Sequence, residues 1–271
     1  MTIVSINHIR DICKELEILP EKSKGQNFLI NQGVIDRIID FAKISKNDHI
    51  LEVGPGLGVL TSELLGRAGK LTAVELEDKL IGYLESRFKN ESSFELIHDD
   101  ILKLLTDKEF DLGDYRVIAN LPYAISSRFL RLILERKNKP SEMILMLQKE
   151  VGERIVAKPS KMSVLSVMVQ FYSEPEILFK VSKKNYWPEP KVDSVVMRLN
   201  VRSELPDIDE RKFFKVVKVG FSAKRKMLKN NLGNVYETQK IAKAMEKLSL
   251  DSKIRPEGLA VQSWVELAKL I

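Results

Sequence analysis

Cysteine is almost missing from this chain. Cys13 is the only one in 271 residues, which leaves neither a disulfide framework nor a thiolate metal cluster. Histidine is nearly as scarce: His8, His49 and His98 stand far apart, without ligand spacing, so no metal centre is expected. No apolar run approaches the roughly 18 residues that cross a bilayer, and the N-terminus carries no signal-peptide pattern. Those two absences predict a cytoplasmic protein without membrane attachment. No internal repeat or dimerisation stripe is visible either, so a monomer is expected. What is present, 44% hydrophobic and 30% charged residues, fits a globular protein long enough for one large domain and one small one.

Acidic residues run short only near the end. From Leu205 onward there are 14 Lys and Arg against 8 Asp and Glu, which accounts for the whole net charge of +6. Within that quarter Arg211, Lys212, Lys215, Lys218, Lys224, Arg225, Lys226 and Lys229 follow one another with no acid between their extremes. Such a block reads as a phosphate-binding face, although a solvated helix face has the same composition.

The most informative stretch is Asn120-Leu121-Pro122-Tyr123, directly after the apolar run Arg116–Ala119. It suits methylation of an exocyclic base amine. Adenine N6 is a poor nucleophile because its lone pair is delocalised into the ring. Accepting both of its N–H bonds, at the Asn120 carboxamide oxygen and the Leu121 carbonyl, turns that lone pair toward an electrophile. Pro122 restricts Leu121 to extended angles and so aims the carbonyl. Tyr123 offers a face for a base that has left its helix. A strand end running into a proline turn is the plainer reading of the same residues.

Three further signals stand at expected strand ends. After the strand 49–53, Gly54-Pro55-Gly56-Leu57-Gly58 forms a glycine turn before a helix, which lets the backbone approach a ligand closely. The next strand ends in Glu75, placed to bind both hydroxyls of a ribose. The strand 94–98 runs into Asp99, Asp100 and Ile101; an acid there accepts a bond from an adenine amine while Ile101 packs on the ring. The glycines are spaced G-x-G-x-G, unlike the dinucleotide fingerprint. Taken together, the four positions point to S-adenosylmethionine as methyl donor.

Strands and helices alternate through Ile144, which predicts a parallel sheet covered by helices. Helices are expected at 80–88, 127–136 and 163–171, with two further strands at 176–181 and 192–201. Residues before about Gly25 read as a helical lead-in that includes Lys22, Ser23 and Lys24. Near Glu204 the pattern turns wholly helical. The expected organisation is a catalytic domain over 1–202 and a helical domain over 203–271, with Pro256 near the first position of the last helix.

With these residues collected, the chain resembles the ribosomal RNA adenine N6,N6-dimethyltransferases, in particular the bacterial small-subunit (16S) enzymes. The resemblance spans nearly the whole length. It rests on Gly25–Leu29, Glu52–Gly58, Asn120–Tyr123, Leu147–Arg154, Pro188–Ser194 and Phe221–Lys226, the last taken as a basic helix. It implies an α/β fold: a Rossmann-like class I methyltransferase sheet of seven strands, the last antiparallel, with a small all-helical RNA-binding domain. It also implies cofactor contacts from Asn27, Leu29, Gly54, Gly56, Glu75, Asp100, Ile101 and Asn120, and substrate contacts from Tyr123, Tyr186, Lys224, Arg225 and Lys226. A helix cap is an equally good physical reading of Gln26-Asn27.

The sequence departs from the family's commonest pattern where Tyr186 stands in place of a phenylalanine, with Trp187 after it. Either ring is placed to sandwich a base against Tyr123. Ala157–Lys161 also lacks a tyrosine-glycine pair common before that helix. The expected reaction is in-line methyl transfer to N6 of two adjacent adenosines near the 3′ end of 16S rRNA, twice on each base, within the 30S subunit or its precursor. Three competing readings are a 23S rRNA methylase of the macrolide-resistance group, a non-catalytic assembly or transcription factor on the same scaffold, and a DNA adenine methyltransferase.

Overall fold

The computed structural model describes residues 5–18, 27–223 and 225–271. Gly25, Gln26 and Lys224, together with Lys22, Ser23 and Lys24 of the expected lead-in, lie outside the described residues.

The chain divides into two compact units, one of residues 1–152 and 176–201 and the other of 153–175 and 202–271. Residues 153–175 thus belong to the second unit together with those from Arg202 onward.

The first unit begins with helix α1 (Ile6–Glu15), capped by Ser5, whose hydroxyl accepts from the His8 amide. A two-residue strand β1 (Phe28–Leu29) follows, then α2 (Gln32–Ala42), whose first turn is satisfied by Asn31 accepting from Val34. The alternation then runs β2 (His49–Val53), α3 (Val59–Leu65), β3 (Lys70–Glu75), α4 (Asp78–Phe88), β4 (Phe94–His98), α5 (Ile101–Leu104), β5 (Arg116–Asn120), α6 (Ser126–Glu135) and β6 (Glu142–Gln148). Helix α7 (Lys149–Ile155) leads out of it.

After helix α8 (Val164–Tyr172) come β7 (Ser173–Val181), β8 (Tyr186–Trp187) and β9 (Ser194–Val201). The seven-stranded sheet has the order β4-β3-β2-β5-β6-β9-β7. Strands β2 to β6 pair in parallel, and β9 lies antiparallel to β6 with Gln148 opposite Ser194. β2 and β5 are neighbours although two strands intervene in sequence. At such a switch point the following connections run to opposite sides and open a crevice at the strand C-termini. The strands are near-continuous apolar runs because both faces are covered: Ile50, Leu71, Ile118, Ile144 and Val196 share one core with residues of α2, α3 and α4.

A separate two-stranded ribbon matters for the site. β1 and β8 pair antiparallel with Leu29 opposite Tyr186 and Phe28 opposite Trp187. It is extended by Ile30 N–H donating to the Asn185 carbonyl (2.8 Å) and by the Asn31 amide donating to the Asn185 side-chain oxygen (2.7 Å).

The second unit holds α8, α9 (Glu210–Gly220), α10 (Leu228–Leu232), α11 (Thr238–Lys247) and α12 (Val261–Leu270). Helix α8 starts in a capping box between Ser163 and Ser166. Its Phe171 stacks on Phe213 at 4.4 Å, and Trp264 of α12 is fully buried beside Gly220. A Cβ at Gly220 would lie 2.4 Å from the Trp264 ring, so only glycine fits there.

Two sequence expectations are corrected. The described residues of the expected helix Phe221–Lys226, which are 221–223, 225 and 226, are not helical and lie between α9 and α10. The buried Asn231 amide donates to the carbonyls of Gly220 (2.6 Å) and Ala223 (3.0 Å), and Phe221 stacks on Trp264, which ends α9. Pro256 opens a separate three-residue 3-10 turn, Pro256–Gly258, and α12 starts only at Val261.

Candidate active site

A cavity of about 330 Å3 opens at the C-terminal ends of β2, β3 and β5, where the strand order reverses. It gathers Asn27, Leu29, Gly54, Gly56, Glu75, Asp100, Ile101, the four residues Asn120–Tyr123, and Tyr186. All the expected small-molecule positions thus share one wall system. Trp187 is not in that lining; it packs against the core of the first unit and lies under the Arg10 guanidinium. Arg225 and Lys226 are exposed on the second unit.

The glycine loop needs its glycines. Gly54, Gly56 and Gly58 have φ of +65°, +58° and +72°, the left-handed region where a side chain is strained. A Cβ on Gly54 would stand 3.4 Å from the Pro122 ring, and one on Gly56 would stand 3.3 Å from Phe28. The bare backbone therefore forms part of the cavity wall.

Glu75, at the tip of β3, is held by three backbone donors. Its Oε2 accepts from Gly56 N–H (3.2 Å), and its Oε1 accepts from Leu76 (2.8 Å) and Glu77 (3.0 Å). Burial pushes its pKa up, and these bonds pull it back toward the usual carboxylate range. The carboxylate is fixed before any ligand arrives. Asp100 caps α5, its Oδ1 accepting from Leu102 N–H (2.8 Å), while Ile101 is buried beside it.

Asn120 ends β5, and among the described residues nothing hydrogen-bonds its carboxamide. The Leu121 N–H is tied to the Met146 carbonyl (3.2 Å), yet no backbone N–H among the described residues bonds the Leu121 carbonyl. The Pro122 carbonyl accepts from Ile125 N–H and the Ser126 hydroxyl, which locks the turn into α6. Two acceptors thus belong to lining residues of the cavity, on a turn tied down by hydrogen bonds.

Two features of the site escaped the sequence reading. One is Ser194, which bonds the hydroxyls of both Tyr123 and Tyr186. The other is Glu52, in the cavity lining and only 2% exposed, its Oε2 accepting from Thr61 Oγ1 at 2.7 Å. Burial, with the Glu75 charge nearby, pushes the Glu52 pKa up to about 8. Its signal was a carboxylate inside a continuous apolar strand. The shift has a consequence for stability. Folding takes up a proton on Glu52, so its contribution is full below the ordinary glutamate pKa near 4.5 and is lost as the pH rises to about 8. Within that window wild-type stability should fall by roughly 1 kcal/mol per pH unit from this group, and Glu52→Gln should remove that slope. Denaturant unfolding at pH 5 and pH 8 measures it; identical slopes in the two proteins would refute the assignment.

Comparison with known proteins agrees with this geometry. Residues 20–271 match the family described as ribosomal RNA adenine dimethylase. The chain is 42% identical over 253 residues to a ribosomal RNA small subunit methyltransferase A of Dehalococcoides mccartyi, covering 91% of this chain and 86% of that one. Among solved structures it resembles a dimethyladenosine transferase from Plasmodium falciparum, with a TM-score of 0.77, 26% identity and coverage of 89% and 95%. It also resembles the 23S rRNA methyltransferase ErmE, with a TM-score of 0.73, 25% identity and coverage of 90% and 99%. A match over nearly all of the sequence, on a seven-stranded sheet with an antiparallel β9, is decisive: the chain belongs to the ribosomal RNA adenine dimethylase family and is a methyltransferase.

Proposed function

We propose that this enzyme transfers methyl groups from S-adenosylmethionine to N6 of two adjacent adenosines near the 3′ end of 16S rRNA, twice on each, during maturation of the small subunit. The observation that carries the reading is the Asn120 carboxamide, which nothing among the described residues hydrogen-bonds, beside Leu121 in a cavity whose lining also holds the glycine loop and Glu75. The side-chain-free wall at Gly54 and Gly56 and the fixed Glu75 carboxylate fit a nucleoside with a charged tail.

S-adenosylmethionine supplies a methyl group already activated on a sulfonium. The protein's part is placement. Glu75 accepts from the ribose hydroxyls, Asp100 from the adenine amine with Ile101 on its ring, and Asn27, Leu29, Gly54 and Gly56 surround the amino-acid end. On the substrate side Asn120 and Leu121 accept the two N6 hydrogens, while Tyr123 and Tyr186 flank the base. Placement of this kind supplies roughly 7–11 kcal/mol of barrier lowering. The proton released from N6 leaves to water, so no general base is assigned.

The 42% identity to a small-subunit methyltransferase favours the small subunit over the large one, as does the Lys191–Ser194 segment. Two structures of similar likeness, one of them a 23S enzyme, leave the choice of subunit to that identity. The test is transfer of labelled methyl to unmethylated 30S subunits, 50S subunits and duplex DNA, with nucleoside analysis. Dimethyladenosine in 30S RNA alone is the expected result; label in 50S RNA or DNA would overturn it.

Arg225 and Lys226, exposed on the turn between α9 and α10, together with Lys224, are assigned to the RNA backbone. Replacing all three by Gln should weaken RNA binding about tenfold and reduce the salt slope, d log K/d log [salt], by about 2. Filter binding at several salt concentrations reads both, and an unchanged slope would remove the turn from the interface.

A further inference from the structure

Three elements bring three hydroxyls together at the substrate side of the cavity. Ser194, the first residue of β9, is fully buried. Its Oγ accepts from the Tyr186 hydroxyl at 2.9 Å and lies 2.7 Å from the Tyr123 hydroxyl. Its anchorage is firm. Ser194 pairs with Gln148 of β6, and the preceding Asp193 accepts from Lys149 N–H through its carbonyl and from Lys183 N–H through its carboxylate, both at 2.9 Å. Tyr186 is buried and held on the ribbon opposite Leu29, whereas Tyr123 is half-exposed and follows the rigid Pro122 turn. One serine therefore ties the two rings together at their hydroxyl ends.

We infer that Ser194 is a positioning residue that fixes the ring slot, and that the second methyl transfer to each base depends on it more than the first. This rests on the reading that Tyr123 and Tyr186 flank the adenine. Unmodified adenine offers two N6 hydrogens to two acceptors, Asn120 and Leu121. The monomethylated base has one hydrogen left on N6, so one of those bonds is gone. Its placement then falls to the ring slot, and a loosened slot penalises the second step selectively. In each step a methyl moves from sulfonium sulfur to N6 and the nitrogen gives up one proton to water, so the two steps differ only in how the base is held.

Ser194→Ala also takes from the buried Tyr186 hydroxyl its hydrogen bond to Ser194, which lowers stability whatever the role in positioning. The double variant Ser194→Ala with Tyr186→Phe removes that hydroxyl, while the Tyr123 hydroxyl it frees can reach water. The experiment follows methylation of unmethylated 30S subunits by wild type, both single variants and the double variant, counting monomethyl- and dimethyladenosine against time. Melting temperature and affinity for S-adenosylhomocysteine are measured alongside.

The expected result is a monomethyl-to-dimethyl ratio raised about fivefold in Ser194→Ala and equally in the double variant, with ligand affinity unchanged. Stability should recover in the double variant while the ratio does not. Tyr186→Phe alone breaks one of the two bonds and keeps the one between Ser194 and Tyr123, so it should raise the ratio by an intermediate amount, about twofold. A ratio that returns to wild type together with stability would make Ser194 merely structural and overturn the inference. Wild-type product proportions in every variant would overturn it too, leaving the assigned reaction intact. Absence of dimethyladenosine with the wild-type protein would overturn the reaction and the inference together.

Discussion

Asn120→Ala will slow methyl transfer by about 10²–10³-fold while RNA affinity stays within about twofold. The size follows from the side chain's place. Nothing among the described residues hydrogen-bonds its carboxamide at the end of β5, so removing it disturbs no bond among them that holds the fold. What is lost is one of two acceptors for the attacking amine, and with it the orientation of the lone pair. The effect belongs to the transition state, where the nitrogen has left the plane of the base, so it appears in kcat rather than in binding. Single-turnover rates and filter binding on the same preparation separate the two. Parallel loss of rate and affinity would mean that Asn120 holds RNA and does not align the amine.

Glu75→Ala will weaken S-adenosylhomocysteine binding by roughly a hundredfold. Hydrogen bonds to a charged acceptor contribute about 1.5–3 kcal/mol each, and two ribose hydroxyls meet this carboxylate in the proposed complex. Part of the loss will come from the glycine loop, because Oε2 also accepts from Gly56 N–H and keeps the loop against β3. Glu75→Gln divides the two contributions: its amide oxygen still accepts, but the charge is gone, so an intermediate affinity is expected. Calorimetric titration of both variants, with melting temperatures recorded, measures this. Unchanged affinity in Glu75→Ala would place the ribose elsewhere.

The sheet was legible because its strands are apolar runs ending in conspicuous residues. Gly54, Glu75, Asp100 and Asn120 each follow such a run, and the C-terminal edge of a parallel sheet brings strand ends together whatever lies between them. The ribbon of β1 and β8 was hidden, since two-residue strands have no periodicity and pair across more than 150 positions. Ser194 stood in a segment that carried the resemblance, but its contacts with the two tyrosines come from the antiparallel register of β9, which the sequence does not state. The Phe221–Lys226 segment has the composition of a helix. Asn231, several residues further on, captures the carbonyls that would have continued it. Residues 153–175 carried no composition change to mark their place in the second unit. Tertiary hydrogen bonds and packing overrode local pattern in each of these cases.

The central claim, that the rim formed by Asn120 and Leu121 presents adenine N6 to the methyl donor, is tested most directly by a crystal structure with S-adenosylhomocysteine and adenosine bound together. The account predicts adenosine between Tyr123 and Tyr186, with N6 within about 3 Å of both the Asn120 Oδ1 and the Leu121 carbonyl and facing the sulfur. An adenine bound with N6 turned away from Asn120, or outside the tyrosine slot, would contradict it.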